Sequence, residues 1–256
     1  MWPFKKKKVA KNDLPIKFTS IICVPGPWTS WEEFIIALVG PNNAEYIAAA
    51  NVMLDVKRSK HYKIEFCEQD DRMRESFKVA GMVTRVSDEL LDEISKHQSV
   101  IYISGETGNV ENALDFAMAG AALLKAGGTG IKIETSGKAF EKDIWLGECN
   151  SARPRLFELF VLDSIAQEDG TIFSCGMQNL GLKDTIVSEE DFQFAVDLIR
   201  IFGYYQIIDK PTIFNNQTFK KDTSSPLFRI SDERNQPYKE DERFENPYGM
   251  WRLSRV

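Results

Sequence analysis

The sequence predicts an α/β (α+β) fold: a mixed β-sheet containing a βαβ crossover, helices packed on the sheet, and a partly ordered C-terminal extension. Three observations predict it. Short β-branched runs such as SVIYIS and TGIKIE read as strands, and longer amphipathic runs such as SEEDFQFAVDLIRIFGYY read as helices, alternating along the chain. The succession SVIYIS, GETGN, VENALDFAMAGAALLKAGG, TGIKIE is strand, turn, helix and strand, which predicts two parallel strands joined by a helical crossover. From Asp209 onward the texture turns polar and proline-punctuated, with isolated aromatic residues. The division that follows is a flexible basic N-terminus over residues 1–15, a single α/β domain over 16–219 and a polar C-terminal extension over 220–256.

Taken in order, IKFTSIICV alternates apolar and polar residues as a strand does, and PGPW turns the chain. In TSWEEFIIALVGP, Ser30 and Glu33 have capping-box spacing and Gly40-Pro41 stops the helix. NVMLDVKRSKHYKIEFCEQD reads as two strands round the basic turn KRSK. Two short helices with acidic starts follow, DDRMRESFKVAG and SDELLDEISKH; Lys96 and His97 close the second favourably for its dipole. Within the crossover helix, Ala117, Ala119, Gly120, Ala121 and Ala122 allow a close approach to the sheet. LFELFVLDSIA and TIFSCGM read as strands flanking the turn QEDG, a hairpin that adds antiparallel strands to the parallel pair. The next helix has Ser188 as its expected cap and a stripe of Phe192, Ala195, Val196, Ile199 and Phe202. A last strand pair is expected near TIF and LFRIS. SDERNQPYKEDERFEN should be mobile, and NPYGMWRL should dock through its aromatic side chains.

Composition narrows the function classes. The chain is 43% hydrophobic and 27% charged, with a net charge of -6 and a pI near 5.2. That balance gives a nucleic-acid partner no global electrostatic support. No run approaches the roughly 18 apolar residues of a membrane span, and no apolar core of signal-peptide length follows the basic start, so a cytoplasmic protein is expected. Cys23, Cys67, Cys149 and Cys175 lack metal-ligand spacing, as do His61 and His97; the expectation is reduced thiols, no metal and no cofactor.

No catalytic constellation emerges. The best candidate site lies at the carboxyl ends of the two parallel strands, where Ser104, Gly105, Glu106 and Thr107 would meet Glu134, Thr135 and Ser136. Glu106 and Glu134 there are either a carboxylate pair or two solvated loop acids. GETGN lacks the phosphate-loop pattern and reads more simply as a turn. Cys175 is followed by glycine, as an exposed nucleophile can be, yet alternation also allows it to point into the core. Arg153 and Arg155 flank a proline as an anion clamp would, or serve in surface ion pairs. Trp251 is a candidate interface anchor, whereas Trp28, Trp31 and Trp145 read as core or staple residues.

The stretch GTIFSCGMQNLGLKDTIV, with LLKAGGTGIKIETSGKAF upstream, resembles an uncharacterised bacterial domain family with a G-x-x-x-x-G-[LKP]-x-[DE] signature after a strand. Gly176, Gly181 and Asp184 match that signature; Gly127, Gly128, Gly130 and Phe140 match a second glycine-strand-phenylalanine element. The family is similar to proteins found near type VI secretion and toxin-immunity loci. The resemblance implies a protein that binds and neutralises a cognate bacterial toxin, and it carries over no catalytic residue. Read from the residues alone, GMQNLG is a tight turn whose glycines supply positive φ or close backbone approach. The alternative function is a small-molecule hydrolase or transferase working at the strand ends near Glu106 and Glu134.

Overall fold

The structure is a computed structural model that describes residues 16–40, 43, 45–237 and 242–256. The fold is α+β, with two sheets. The expectations for residues 1–15 lie outside the described residues.

The first sheet takes its strands from the first part of the chain: β1 (Thr19–Gly26), β2 (Tyr46–Ala49), β3 (Val52–Asp55), β4 (Lys60–Glu68), β5 (Ser99–Glu106), β6 (Gly130–Ile133) and β7 (Lys138–Glu141). Their order is β2-β3-β4-β5-β1-β6-β7, and every neighbouring pair is antiparallel. β5 and β6 are parallel to each other, as the crossover predicts, but β1 lies between them and pairs with both. The hairpin round KRSK forms as read, with Val52 opposite Lys63; β2 is a strand the sequence reading did not identify.

Helices cover both faces of this sheet. α1 (Trp31–Leu38), α4 (Val110–Lys125) and α5 (Lys142–Asn150) pack on the face that carries Ile22, Val24, Ile101, Ile103, Ile131 and Ile133. The Ser30 side chain caps α1 by accepting from Glu33 N, while Glu33 accepts from Thr29. Trp28 and Trp145 are buried here, each donating its indole N–H to an α4-region carbonyl, Ala126 O and Ala117 O. α2 (Met73–Ala80) and α3 (Asp88–Ile94) cover the other face, over Cys23 and Val100.

The second sheet holds β8 (Leu162–Ala166), β9 (Ile172–Cys175), β10 (Asp184–Val187), β11 (Thr218–Phe219), β12 (Phe228–Glu233) and β13 (Met250–Arg255), in the order β11-β12-β13-β10-β9-β8. It is mixed: β10 and β13 run parallel and the other pairs antiparallel. Described residues of the C-terminal stretch are built into the sheet, with β13 between β12 and β10; within SDERNQPYKEDERFEN, expected to be mobile, Ser231–Glu233 belong to β12 and Asn246 is buried, because pairing with β13 and the hydrogen bonds of Asn246 hold them. LFRIS becomes β12, but its partner β11 is Thr218–Phe219 rather than TIF. The QEDG hairpin joins β8 to β9 as expected, but in the second sheet and not in the sheet of β5 and β6. LFELF, read as the start of a strand, is instead the helix α6 (Leu156–Phe160), because its four apolar side chains are buried on the first sheet's core rather than alternating.

One helix, α7 (Phe192–Ile208), packs on the second sheet through Ala195, Val196, Ile199 and Phe202. Its cap is Asp191, whose carboxylate accepts from Gln193 N and Phe194 N, so Ser188 is not the cap. The Ser188 hydroxyl instead accepts from Arg252 at 2.9 Å. Phe192, the first residue of the helix, lies outside the buried stripe and is 48% exposed.

Candidate functional site

GMQNLG forms the seam between the two sheets. Met177–Leu180 is a single 3-10 turn, all four residues buried, flanked by Gly176 at φ 125° and Gly181 at φ 75°. Positive φ is only part of the requirement. A Cβ on Gly176 would sit 2.0 Å from Phe160 O, and one on Gly181 would sit 2.0 Å from Gly108 O. Both positions therefore exclude any side chain. Within the turn, Asn179 Oδ1 accepts from Ser20 Oγ at 2.5 Å and from Thr135 Oγ1 at 2.8 Å, and Gln178 Nε2 donates to Thr135 O at 2.9 Å. Thr107 shares this buried network through its hydroxyl, 2.6 Å from Ser20 Oγ. The strand ends that looked like a ligand crevice are in this part closed by the turn.

Asp184 anchors the other side of the seam. It is fully buried at the start of β10, an interior strand. Its carboxylate accepts from Ser174 Oγ at 3.0 Å, Met177 N at 3.2 Å and Asn246 Nδ2 at 2.7 Å. Burial pushes its pKa up to about 7, against these hydrogen bonds, which favour the ionised form. Lys138 makes a second tie: its buried ammonium donates to Glu158 O and, at 2.8 Å, to Val161 O, satisfying the C-terminal carbonyls of α6. Burial lowers its pKa to about 8.

Beside the seam lies a cleft of about 880 Å³. Its walls are α2 on one side and β8–β9 on the other, with the end of β6 and the Ser136-Gly137 turn as its floor. Val79, Ala80 and Met82 face Leu162, Ile165 and Cys175 across it. The charged groups at the floor neutralise one another. Glu134 pairs with Lys132 at 2.9 Å and with Arg243 at 3.4 Å, and Lys132 also donates to Ser76 Oγ. Ser136, 2% exposed, also lines the cleft, and its hydroxyl has no hydrogen-bond partner among the described residues.

The structure separates the residues singled out in the sequence. Glu134 is in the cleft, but Glu106 lines a different cavity with Lys60, His61 and Asp115, and pairs with Lys17 at 2.9 Å. The two carboxylates do not form an acid–base pair. Arg153 is exposed on the connection between α5 and α6, and Arg155 is clamped on Glu148, its Nε 3.1 Å from Oε1. Trp251, half-buried in β13, carries the Lys183 ammonium 3.9 Å from its ring centroid. Asn109 caps α4 with its own side chain, taking Asn112 N, so GETGN is a helix entry. Cys175 is buried at the cleft wall, which fits the core reading of that thiol better than an exposed nucleophile.

Sequence reasoning missed the apolar turn after α2. Val79, the next-to-last residue of α2, and Met82 are 56% and 70% exposed at the lip of the cleft, and Val83 beyond them is 49% exposed. α3, which packs against α2, turns Asp88, Glu89, Asp92 and Glu93 to solvent, with Asp92 paired to Arg74 at 3.1 Å. The signal was present as GMV, apolar residues in a short link between two helices with acidic starts.

Among the described residues no three His, Cys, Asp or Glu side chains converge as metal ligands would, and no helix is long and apolar enough to cross a membrane. No family model, curated protein or solved structure matches the chain.

Proposed function

We propose that the chain is a cytoplasmic, non-enzymatic, immunity-type protein that binds and neutralises a cognate bacterial toxin. The observation that carries this reading is the exposed apolar end of α2 and the turn after it, Val79, Met82 and Val83, ahead of α3 with its exposed carboxylates. An apolar anchor rimmed by carboxylates suits a basic protein: the anchor supplies affinity once desolvated, and the acids steer the encounter. The net charge of -6 acts in the same direction. The resemblance of the glycine signature to an uncharacterised family similar to proteins found near toxin-immunity loci supports the same class.

The test is affinity capture from the source bacterium with the tagged chain. A basic protein retained by the wild type, weakened at least about tenfold by Met82→Asp and slowed in association by Asp88→Lys with Glu89→Lys, supports the reading. Capture that ignores both variants would sink it. The hydrolase or transferase alternative requires Glu106 and Glu134; full biological activity in a Glu106→Gln, Glu134→Gln double variant would dismiss that alternative.

A further inference from the structure

We infer that the cavity between the start of α4 and the end of α7 binds one neutral, largely apolar small molecule, which donates a hydroxyl or N–H group to Gln206. This cavity is separate from the cleft beside α2 and does not rest on the protein-partner reading. Its volume, about 730 Å³, is that of a small-molecule site. It lies where the coverings of the two sheets meet. The start of α4, the exit of the 3-10 turn, the end of α7 and the segment leading into β13 wall it.

Walls and floor differ in chemistry. Val110, Leu182, Ile207 and Ile213 supply half-buried apolar walls. The most deeply buried lining residues are Leu180 and Gln206, 2% and 3% exposed. A hydrocarbon surface with one deep amide orients an apolar ligand by a single polar contact.

The charged lining residues leave nothing for an ion. Lys183 is already paired with Asp232 and lies over the Trp251 ring. The others, Glu111 and Lys210, are opposite in sign and both exposed. Each sits where a helix dipole favours it, the acid in the first turn of α4 and the base just past the end of α7. The cavity therefore offers no uncompensated charge to a ligand anion or cation.

Gln206 determines which polar group the ligand carries. Its Nε2 donates to Lys183 O at 3.3 Å, which orients the amide. Its Oε1 accepts no hydrogen bond among the described residues, and it is not one of the buried polar atoms closed to solvent. A carbonyl oxygen at such depth is stabilised by a donor, and the cavity that Gln206 lines admits one. A ligand O–H or N–H satisfies it, whereas an ether or ester oxygen does not.

The probe is 2-naphthol, a neutral apolar molecule with one O–H donor, set against 2-methoxynaphthalene, which keeps the body and lacks the donor. Titration of the full chain, followed by the ligand's own emission, should show one saturable site that takes 2-naphthol about tenfold more tightly. Gln206→Leu should remove that preference and leave 2-methoxynaphthalene binding unchanged. Trp251→Phe, which keeps Gln206, should remove most of the quenching of tryptophan fluorescence by bound 2-naphthol, because Trp251 lines the cavity. Should Gln206→Leu not fold, the wild-type comparison and Trp251→Phe still decide. Absence of saturable binding to the wild type would overturn the inference. So would equal binding of the two ligands, since water then serves the amide as well as a ligand does. A preference that survives in folded Gln206→Leu, or quenching retained by Trp251→Phe, puts the site elsewhere and overturns it as well. Tighter binding of 2-naphthoate than of 2-naphthol would overturn the neutral class. None of the described residues of α2 or α3 lines the cavity, so Met82→Asp should weaken protein capture without changing 2-naphthol binding, and the two readings fail separately.

Discussion

The two sheets differ in how their faces are covered, and the difference locates the candidate site. The first sheet is sandwiched: α1, α4 and α5 seal one face and α2 and α3 the other. The second has α7 on one face, while Phe173, Ile186 and Met250 on the other form only a small cluster with Ile165 at its margin. An antiparallel or mixed sheet tolerates a partly open face where a fully sandwiched one has no surface left to offer. The cleft opens where the less covered sheet meets α2 of the more covered one. The seam that keeps it in place is one buried 3-10 turn.

The seam is where the comparison breaks most easily. Gly181→Ala sets a methyl against Gly108 O and a positive φ; positive φ alone costs about 1–3 kcal/mol, so the total loss should exceed about 3 kcal/mol, or the chain should fail to fold. Urea titration with tryptophan fluorescence reads the outcome; a loss below about 1 kcal/mol would show that the backbones separate freely and that the turn is no seam.

A comparable effect at the second sheet depends on pH. With the Asp184 pKa raised to about 7, the unfolded chain releases its proton first, near pH 4. The folded state then binds more protons across that window, so stability falls as pH rises from about 4 to about 7. Asp184→Asn should flatten this dependence. It should also lower stability at acid pH by about 1–3 kcal/mol, because an amide cannot accept from Asn246, Met177 and Ser174 together. Thermal melts between pH 4 and 8 would settle this; an unchanged slope in the variant would assign the titration elsewhere.

The contrast in covering is sharpened by paired truncations. Ile103, fully buried under α4, should cost about 2–5 kcal/mol as Ile103→Ala. Ile165 on the open face is only half-buried, and Ile165→Ala should cost less than about 1 kcal/mol. Equal losses would mean that the second sheet is covered as well as the first. The smallest effect belongs to Glu106→Gln: its exposed pair with Lys17 is worth at most about 1 kcal/mol, and the melting temperature should hardly move.

Local chemistry was legible from particular residues. Ser30 capped its helix, KRSK turned its hairpin, QEDG joined β8 to β9, and the glycines of GMQNLG took positive φ. Each depends on residues within a few positions of one another. Where the reading failed, a distant segment had intervened. LFELF has the composition of a buried strand or a buried helix, and its packing on α4 and on the 3-10 turn chose the helix. Nothing near Asp184 in the sequence announces that Asn246, 62 residues on, completes its hydrogen bonds.

For the candidate site, the sequence placed Glu134 and Ser136 at a strand end and noticed Cys175, but could not bring them to one cleft. That juxtaposition requires β6 of one sheet to lie against β8 and β9 of the other. Periodicity, capping residues and turn glycines determine which segments are strands and helices, since those preferences act through neighbouring backbone and side-chain sterics. Strand order, the insertion of β1 between β5 and β6, and the separation of Glu106 from Glu134 were decided only by the tertiary structure. They depend on which apolar faces find each other, and that choice is made by burial across the whole chain.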